Sequence, residues 1–380
     1  MNVLTRRLLL FFNLSGISSL LYLFIFSLNK AIVYEDSFIL LRPPEINIID
    51  WLFIPQNGHI ILVPKLLSTV LVFLNLRPTT FFVPLGILFI FIGLYFLWKL
   101  ISINSTKGND NIIIFLICSY FFISPWHWEN LIWEFQFPWF IVSSFCIIST
   151  FIFLNREAKD EFKIYEKLFL FLSPLIAVSS TGSGICYVNC LLINYFIRGR
   201  KKSYPFWGIF LAYFLFITEK IINADNNLFS FDFFLYFKYI TVMLLTIFKA
   251  PISANNSYSY IQWIIPILSS LLLQSFLIFN INWKNFKNHI SLVKKFALMN
   301  PILFGLQFTI LLSITRSNYG IHQGAVSRYL TCLVLIPIGL LIIFEYTNNG
   351  ISIINKNKLI NKKLYHSSKF YYSNLIIIIC

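Results

Sequence analysis

Residues 80–103 read TFFVPLGILFIFIGLYFLWKLISI, with Lys99 as their single charge. A bilayer's hydrocarbon core is about 30 Å thick, and a helix of about 20 apolar residues crosses it. Such a helix satisfies its own backbone hydrogen bonds, which lipid cannot do. The stretch therefore reads as a membrane-crossing helix. Comparable runs lie at 8–28, 112–126, 137–154, 167–180, 184–197, 206–223, 259–280, 296–315 and 329–346. The shorter ones reach the full thickness by using flanking aromatics or a locally thinned bilayer. Two more runs are ambiguous: 60–76, which carries Pro64 and Lys65, and 232–249, which carries Asp232, Lys238 and Lys249. Either they cross or they lie in the interface plane.

Composition agrees. Hydrophobic residues make up 58% of the 380, and charged residues only 12%. A soluble domain carries about 25% charged residues, so this chain lacks the polar surface to coat a water-soluble globule. The fold class expected is all-α: a polytopic transmembrane helical bundle of 10–12 helices. Residues 1–346 form its single domain, with outer loops at 29–79 and 224–258, and interfacial helices are expected in the first of these. Residues 347–380 form a basic cytoplasmic tail.

The formal net charge is +15. In a soluble protein this would raise a nucleic-acid partner. Here the preference of Lys and Arg for the cytoplasmic side accounts for it, and no nucleic acid is expected. With the ten strong runs crossing, 21 of the 30 basic residues fall on the cytoplasmic side. Arg6 and Arg7 precede the first run, which is longer than a secretory h-region and has no clear cleavage site after it. It is expected to remain as the first helix, with the N-terminus cytoplasmic and the protein multi-pass in a bacterial plasma membrane. Cys118, Cys146, Cys186, Cys190 and Cys332 lie within apolar runs, where Cys acts as a small hydrophobe.

In this topology the polar residues of chemical interest collect on the outer face. Glu35 and Asp36 follow the first helix. Adjacent carboxylates at a membrane edge serve as a general base or hold a divalent cation, or simply solvate a loop. Gln56-Asn57-Gly58-His59 leads toward Pro64-Lys65, and His59 and Lys65 are placed to meet a phosphate at headgroup level. An interfacial His and a snorkelling Lys are the plain alternative.

A third cluster runs from Trp126 to Gln136. Its Trp128, Glu129, Asn130, Trp133, Glu134 and Gln136 mix aromatic faces with acids and amides, a lining suited to sugar rings. An aromatic belt is the alternative reading of its tryptophans. The fourth holds Arg316, His322, Gln323, Arg328 and Tyr329. A guanidinium at the N-terminal end of an apolar helix suits a phosphate or diphosphate; pairing with a loop carboxylate is the alternative. The Ser179–Gly184 turn either cradles an anion or closes a helical hairpin.

Together these clusters resemble the GT-C superfamily of membrane glycosyltransferases. More narrowly, the chain is similar to a group of uncharacterised bacterial multi-pass proteins. The resemblance rests on Asn57-Gly58-His59 with Pro64-Lys65-Leu66, Glu129-Asn130-Leu131-Ile132-Trp133 with Gln136, and Gly320 with Gln323 through Ser327-Arg328-Tyr329.

It implies an inverting transfer of a sugar from a polyprenyl-phosphate donor to a glycan or lipid acceptor of the cell envelope. Asp36 would be the general base and Glu35 its partner or a metal ligand. Arg328 would bind the donor phosphate, with His59, Lys65 or Arg316. The cofactor implied is none or a divalent cation, Mg or Mn. GT-C acids are often separated by one residue, whereas Glu35 and Asp36 are adjacent, and adjacent side chains on an extended segment point to opposite sides. Two other functions fit the same face: a lipid-linked glycan polymerase or ligase, and a flippase. A structural or assembly role is the remaining reading.

Overall fold

The computed structural model describes residues 3–29, 46–55, 60–103, 108–123, 137–156, 161–199, 204–222, 232–245, 260–316 and 329–354. All regular structure among them is helical. In chain order the helices are α1 (Val3–Asn29), α2 (Ile48–Phe53), α3 (Leu62–Phe73), α4 (Pro78–Ser102), α5 (Gly108–Phe122), α6 (Phe137–Leu154) and α7 (Ile164–Ser180). They continue with α8 (Gly184–Ile197), α9 (Tyr204–Ile222), α10 (Phe233–Leu245), α11 (Tyr260–Asn280), α12 (Trp283–His289), α13 (Leu292–Arg316), α14 (Leu330–Leu333) and α15 (Leu335–Ile354). A helix stands at each of the ten expected runs and at both ambiguous ones.

Five segments are long and apolar enough to cross a membrane: Arg7–Phe26, Thr80–Ser102, Phe137–Leu154, Leu292–Arg316 and Leu330–Asn348. The chain is a polytopic membrane protein. Burial divides these spans into two kinds. Within α6 almost every side chain is buried, whereas α1 exposes Phe11, Leu14, Tyr22 and Ile25. A helix apolar all round and enclosed by neighbours is central; one apolar all round and bare faces lipid. Thus α6 is the axis, with α4, α13 and α8 packed on it.

Side-chain contacts set the helix directions. Asn13 of α1 donates to the Leu116 carbonyl at 2.9 Å, and Gly16 lies against Ile123, so α1 and α5 are parallel. Gly93 meets Phe122 while Trp98 meets Phe115, so α4 and α5 are antiparallel. Phe82 stacks on Phe137, Ser144 donates to the Phe89 carbonyl and Phe96 meets Phe151, so α4 and α6 are parallel. Gly305 faces Ile336 and Gly339 faces Ile302, which makes α13 and α15 antiparallel.

One end of the bundle therefore gathers the C-terminal ends of α1, α5, α7 and α13 and the starts of α4, α6, α8 and α14. The opposite end carries Arg7, Lys99, Arg156, Lys163, Lys167, Arg198, Lys284, Lys287, Lys294 and Lys295 among the described residues. It is the basic end.

The basic end is tied by buried ionic groups. Arg156 holds Glu166 at 3.0 Å, and Glu166 also accepts from the Lys163 backbone N–H. Arg198 ends α8 and donates to the Phe153 carbonyl in the last turn of α6 and to the Arg156 carbonyl just beyond it. Its guanidinium lies 5.1 Å from the Phe153 ring. The last carbonyls of a helix need such partners. Nearby, α15 is tied to the α11–α12 corner: Asn285 donates to the Thr347 carbonyl at 3.1 Å and Asn348 reaches the Asn280 carbonyl.

The ambiguous runs are short. The 12 residues of α3 span about 18 Å at about 1.5 Å per residue, well under the bilayer core. The C-terminal turn of α10 meets the middle of α11, where Ser270 and Gln274 both donate to the Leu244 carbonyl at 2.9 Å.

Candidate functional site

The non-basic end holds the described part of the candidate site. Its centre is aromatic. Trp139, in the first turn of α6, meets Phe308 of α13 edge-on at 5.2 Å and Tyr329 at 5.9 Å. Phe308 and Tyr329 close the triangle at 6.3 Å. Just below, Ser143 donates to the Thr331 carbonyl at 3.1 Å and touches Cys332. These contacts bind the start of the last helix to the start of α6. Tyr329 is buried, so its ring is part of this floor. Arg328 is the residue before it in the chain.

Lys65 lies in the first turn of α3. Its Nζ donates to the Trp51 carbonyl at 2.6 Å and to the Ile54 carbonyl at 2.7 Å, and stands 5.2 Å from the Trp51 ring. It thus caps the C-terminal end of α2, where unpaired carbonyls and the helix dipole both favour a cation. An ammonium has three donors, and these carbonyls occupy two of them. Burial pushes the Lys65 ammonium down from its ordinary value to about 8. The other end of α2 is held by Asn47, whose side chain accepts from the Ile49 N–H.

Arg316 ends α13 at this same end and is half-buried. The turn between α7 and α8 is also here. Gly182 and Gly184 are buried, and Thr181 and Ser183 share a hydrogen bond at 3.1 Å. A Cβ on Gly184 would lie 2.2 Å from the Ala177 carbonyl oxygen, so only glycine lets α8 start this close to α7. That contact gives the hairpin role of this turn a concrete cause.

Glu35, Asp36, His59, Trp128, Glu129, Asn130, Trp133, Glu134, Gln136, His322, Gln323 and Arg328 lie outside the described residues. What the structure supplies for them is the position of the helix ends that flank them. Asn29, Phe122, Phe137, Arg316 and Tyr329 all stand at the non-basic end. Among the described residues no group of three or more His, Cys, Asp or Glu is placed to hold a metal.

Sequence reasoning passed over two polar features. Glu219 is a buried carboxylate near the C-terminal end of α9. Asn189, Tyr213 and Gln307 meet between α8, α9 and α13. The signal was present: acids and amides inside apolar helices are costly in lipid and face protein or water.

No family model, curated protein or solved structure matches the chain.

Proposed function

We propose that this membrane protein is a glycosyltransferase of GT-C type, moving a sugar from a polyprenyl-phosphate donor to a cell-envelope acceptor. The observation that carries this reading is helix direction. Parallel packing of α1 with α5 and of α4 with α6, together with the Trp139–Tyr329 contact, brings the end of α1 and the start of α14 to one end of the bundle. The acids Glu35 and Asp36 follow the first of these, and Arg328 precedes the second. A base and a phosphate-binding cation must share a face to serve one reaction.

Asp36 takes the proton of the acceptor hydroxyl, and Glu35 supports it or helps to hold a divalent cation. Arg328 binds the donor phosphate. The amides, acids and tryptophans of Trp128–Gln136, with His322 and Gln323, contact sugar, and Tyr329 serves as part of the buried aromatic floor. The excess of Lys and Arg at the opposite end supports, by the positive-inside rule, a cytoplasmic position for that end and an outer position for the reacting end. A glycan polymerase, ligase or flippase would use the same face.

The test is sugar transfer by the purified protein in liposomes, supplied with a defined polyprenyl-phosphate donor. Transfer lost in Asp36→Asn, with donor binding weakened in Arg328→Ala, supports the reading. Full activity in Asp36→Asn removes Asp36 as the base. Reporter fusions that place the residues after α1 and those before α14 on opposite sides of the bilayer overturn it altogether.

A further inference from the structure

A second polar region lies deeper in the bundle, and the proposed reaction does not use it. Asn189, Tyr213 and Gln307 fall in the middle thirds of α8, α9 and α13. Asn189 Nδ2 donates to Gln307 Oε1 at 2.8 Å, and the Tyr213 hydroxyl donates to Asn189 Oδ1. Gln307 Nε2 reaches Cys190 Sγ at 3.9 Å, and Cys190 Sγ approaches the Asn300 carbonyl at 3.8 Å. Asn194 then donates to Asn300 Oδ1 at 2.6 Å and to the Cys190 carbonyl at 3.0 Å. The network is continuous across three helices and carries no charged group. It extends roughly 8–10 Å along the bundle, at about 1.5 Å per residue of helix.

Its two ends differ in burial. Asn194 and Asn300 are fully enclosed, yet Asn194 Oδ1 and Asn300 Nδ2 have no hydrogen-bond partner. The bond between these two amides leaves one acceptor oxygen and one whole NH2 group over, and a hydroxyl can donate to the first and accept from the second. At the other end Asn189, Tyr213 and Gln307 are only half-buried. Each primary amide has a second N–H that the bonds above do not occupy. Hydrocarbon offers these groups nothing. By contrast, the neighbouring Phe214 and Leu306 are exposed apolar side chains that suit lipid.

We propose that α8, α9 and α13 enclose a hydrated recess at mid-bundle, which binds uncharged hydroxyl-bearing molecules, water in the first instance. Asn189, Tyr213 and Gln307 form its rim, and Asn194 and Asn300 form its floor. The described partners there are amides, a hydroxyl and backbone carbonyls, the groups that hydrogen-bond hydroxyls. The proposal is independent of the glycosyltransferase reading and concerns a different depth of the bundle.

Cysteine accessibility tests it. The five described native cysteines are buried; Cys190, which lies between rim and floor, is replaced by Ala and Cys380 by Ser, so that neither contributes background. Asn189→Cys, Gln307→Cys and the control Leu306→Cys are reconstituted in nanodiscs and exposed to an uncharged, water-soluble hydroxyethyl methanethiosulfonate. Monodispersity in size-exclusion chromatography establishes folding. We expect the rim cysteines to react at least about tenfold faster than the Leu306 control, the difference between hydrated and lipid-facing thiolate formation. Gln307→Cys carries the test if Asn189→Cys does not fold. Equal rates overturn the proposal and assign the rim to lipid. A disulfide between two copies at Asn189→Cys overturns it as well, since another helix would then fill the groove.

Discussion

The ring of Tyr329 lies 5.9 Å from that of Trp139, tilted by 49°. Residues nearly two hundred positions apart are thereby joined, and the start of the last helix is docked on the start of the central one. The contact falls one residue after Arg328 in the chain. Trp139→Ala opens this floor. The expected cost in stability is near the lower end of about 3–5 kcal/mol, since Trp139 is not fully enclosed. In the transfer assay the same substitution is expected to raise the donor KM more than it lowers kcat, because it disturbs the helix start next to Arg328, the proposed donor-binding residue, and not Asp36, the proposed base. Trp139→Phe keeps most of both. An unchanged donor KM in a folded Trp139→Ala protein contradicts the role of this floor.

Lys65 tethers α2 through two backbone carbonyls, and its folded-state pKa lies below its ordinary one. A base with a lowered folded pKa binds fewer protons folded than unfolded. Stability from this group therefore rises with pH between about 8 and the ordinary value of 10.5. The stability of the wild type relative to Lys65→Met is expected to increase from pH 7.5 to pH 9.5. Thermal unfolding of the two proteins at both pH values measures it. A flat or falling difference would show that the carbonyl bonds, which favour the charged form, outweigh burial.

The parallel pairing of α1 with α5 rests on a small polar knot. Asn13 donates to the Leu9 and Leu116 carbonyls, and Ser119 donates to Asn13 Oδ1. Interhelical hydrogen bonds in membranes average about 0.6 kcal/mol and reach about 1.7 kcal/mol in mutant cycles. A double-mutant cycle with Asn13→Ala and Ser119→Ala is expected to return a coupling in this range. Zero coupling in detergent-based unfolding would mean that the α1–α5 contact is held by apolar packing alone.

Gly208 lets α9 approach α7 at backbone distance. A Cβ there would lie 2.3 Å from the Phe171 carbonyl oxygen, and a backbone atom cannot swing aside. Gly208→Ala must push the helices apart, at a cost of about 1–3 kcal/mol for overpacking. A melting temperature equal to the wild type would rule this contact out.

Much of the fold could be read directly from the chain. The apolar runs at 80–103 and 137–154 became α4 and α6 with bounds close to those expected, since lipid or a buried core accepts such runs only as helices. The interfacial alternative for 60–76 agrees with an α3 too short to cross. Less of the candidate site was legible. Lys65 stood out as a cation beside an apolar helix, but its partners are carbonyls of Trp51 and Ile54, and a carbonyl leaves no mark in a sequence. Trp139 was hidden because an aromatic at a helix start looks the same whether it faces lipid, headgroups or Tyr329.

Composition and the length of the apolar runs by themselves determined that this is a multi-pass helical membrane protein. They do so because the cost of leaving backbone polar groups unpaired in hydrocarbon is local and leaves few choices. Only the tertiary structure decided which helices run parallel, which one is the axis, and that Asn13, Asn189 and Asn300 pair across helices. Those outcomes depend on which side chains fit together at close range, and an apolar run gives its neighbours in the chain no record of that fit.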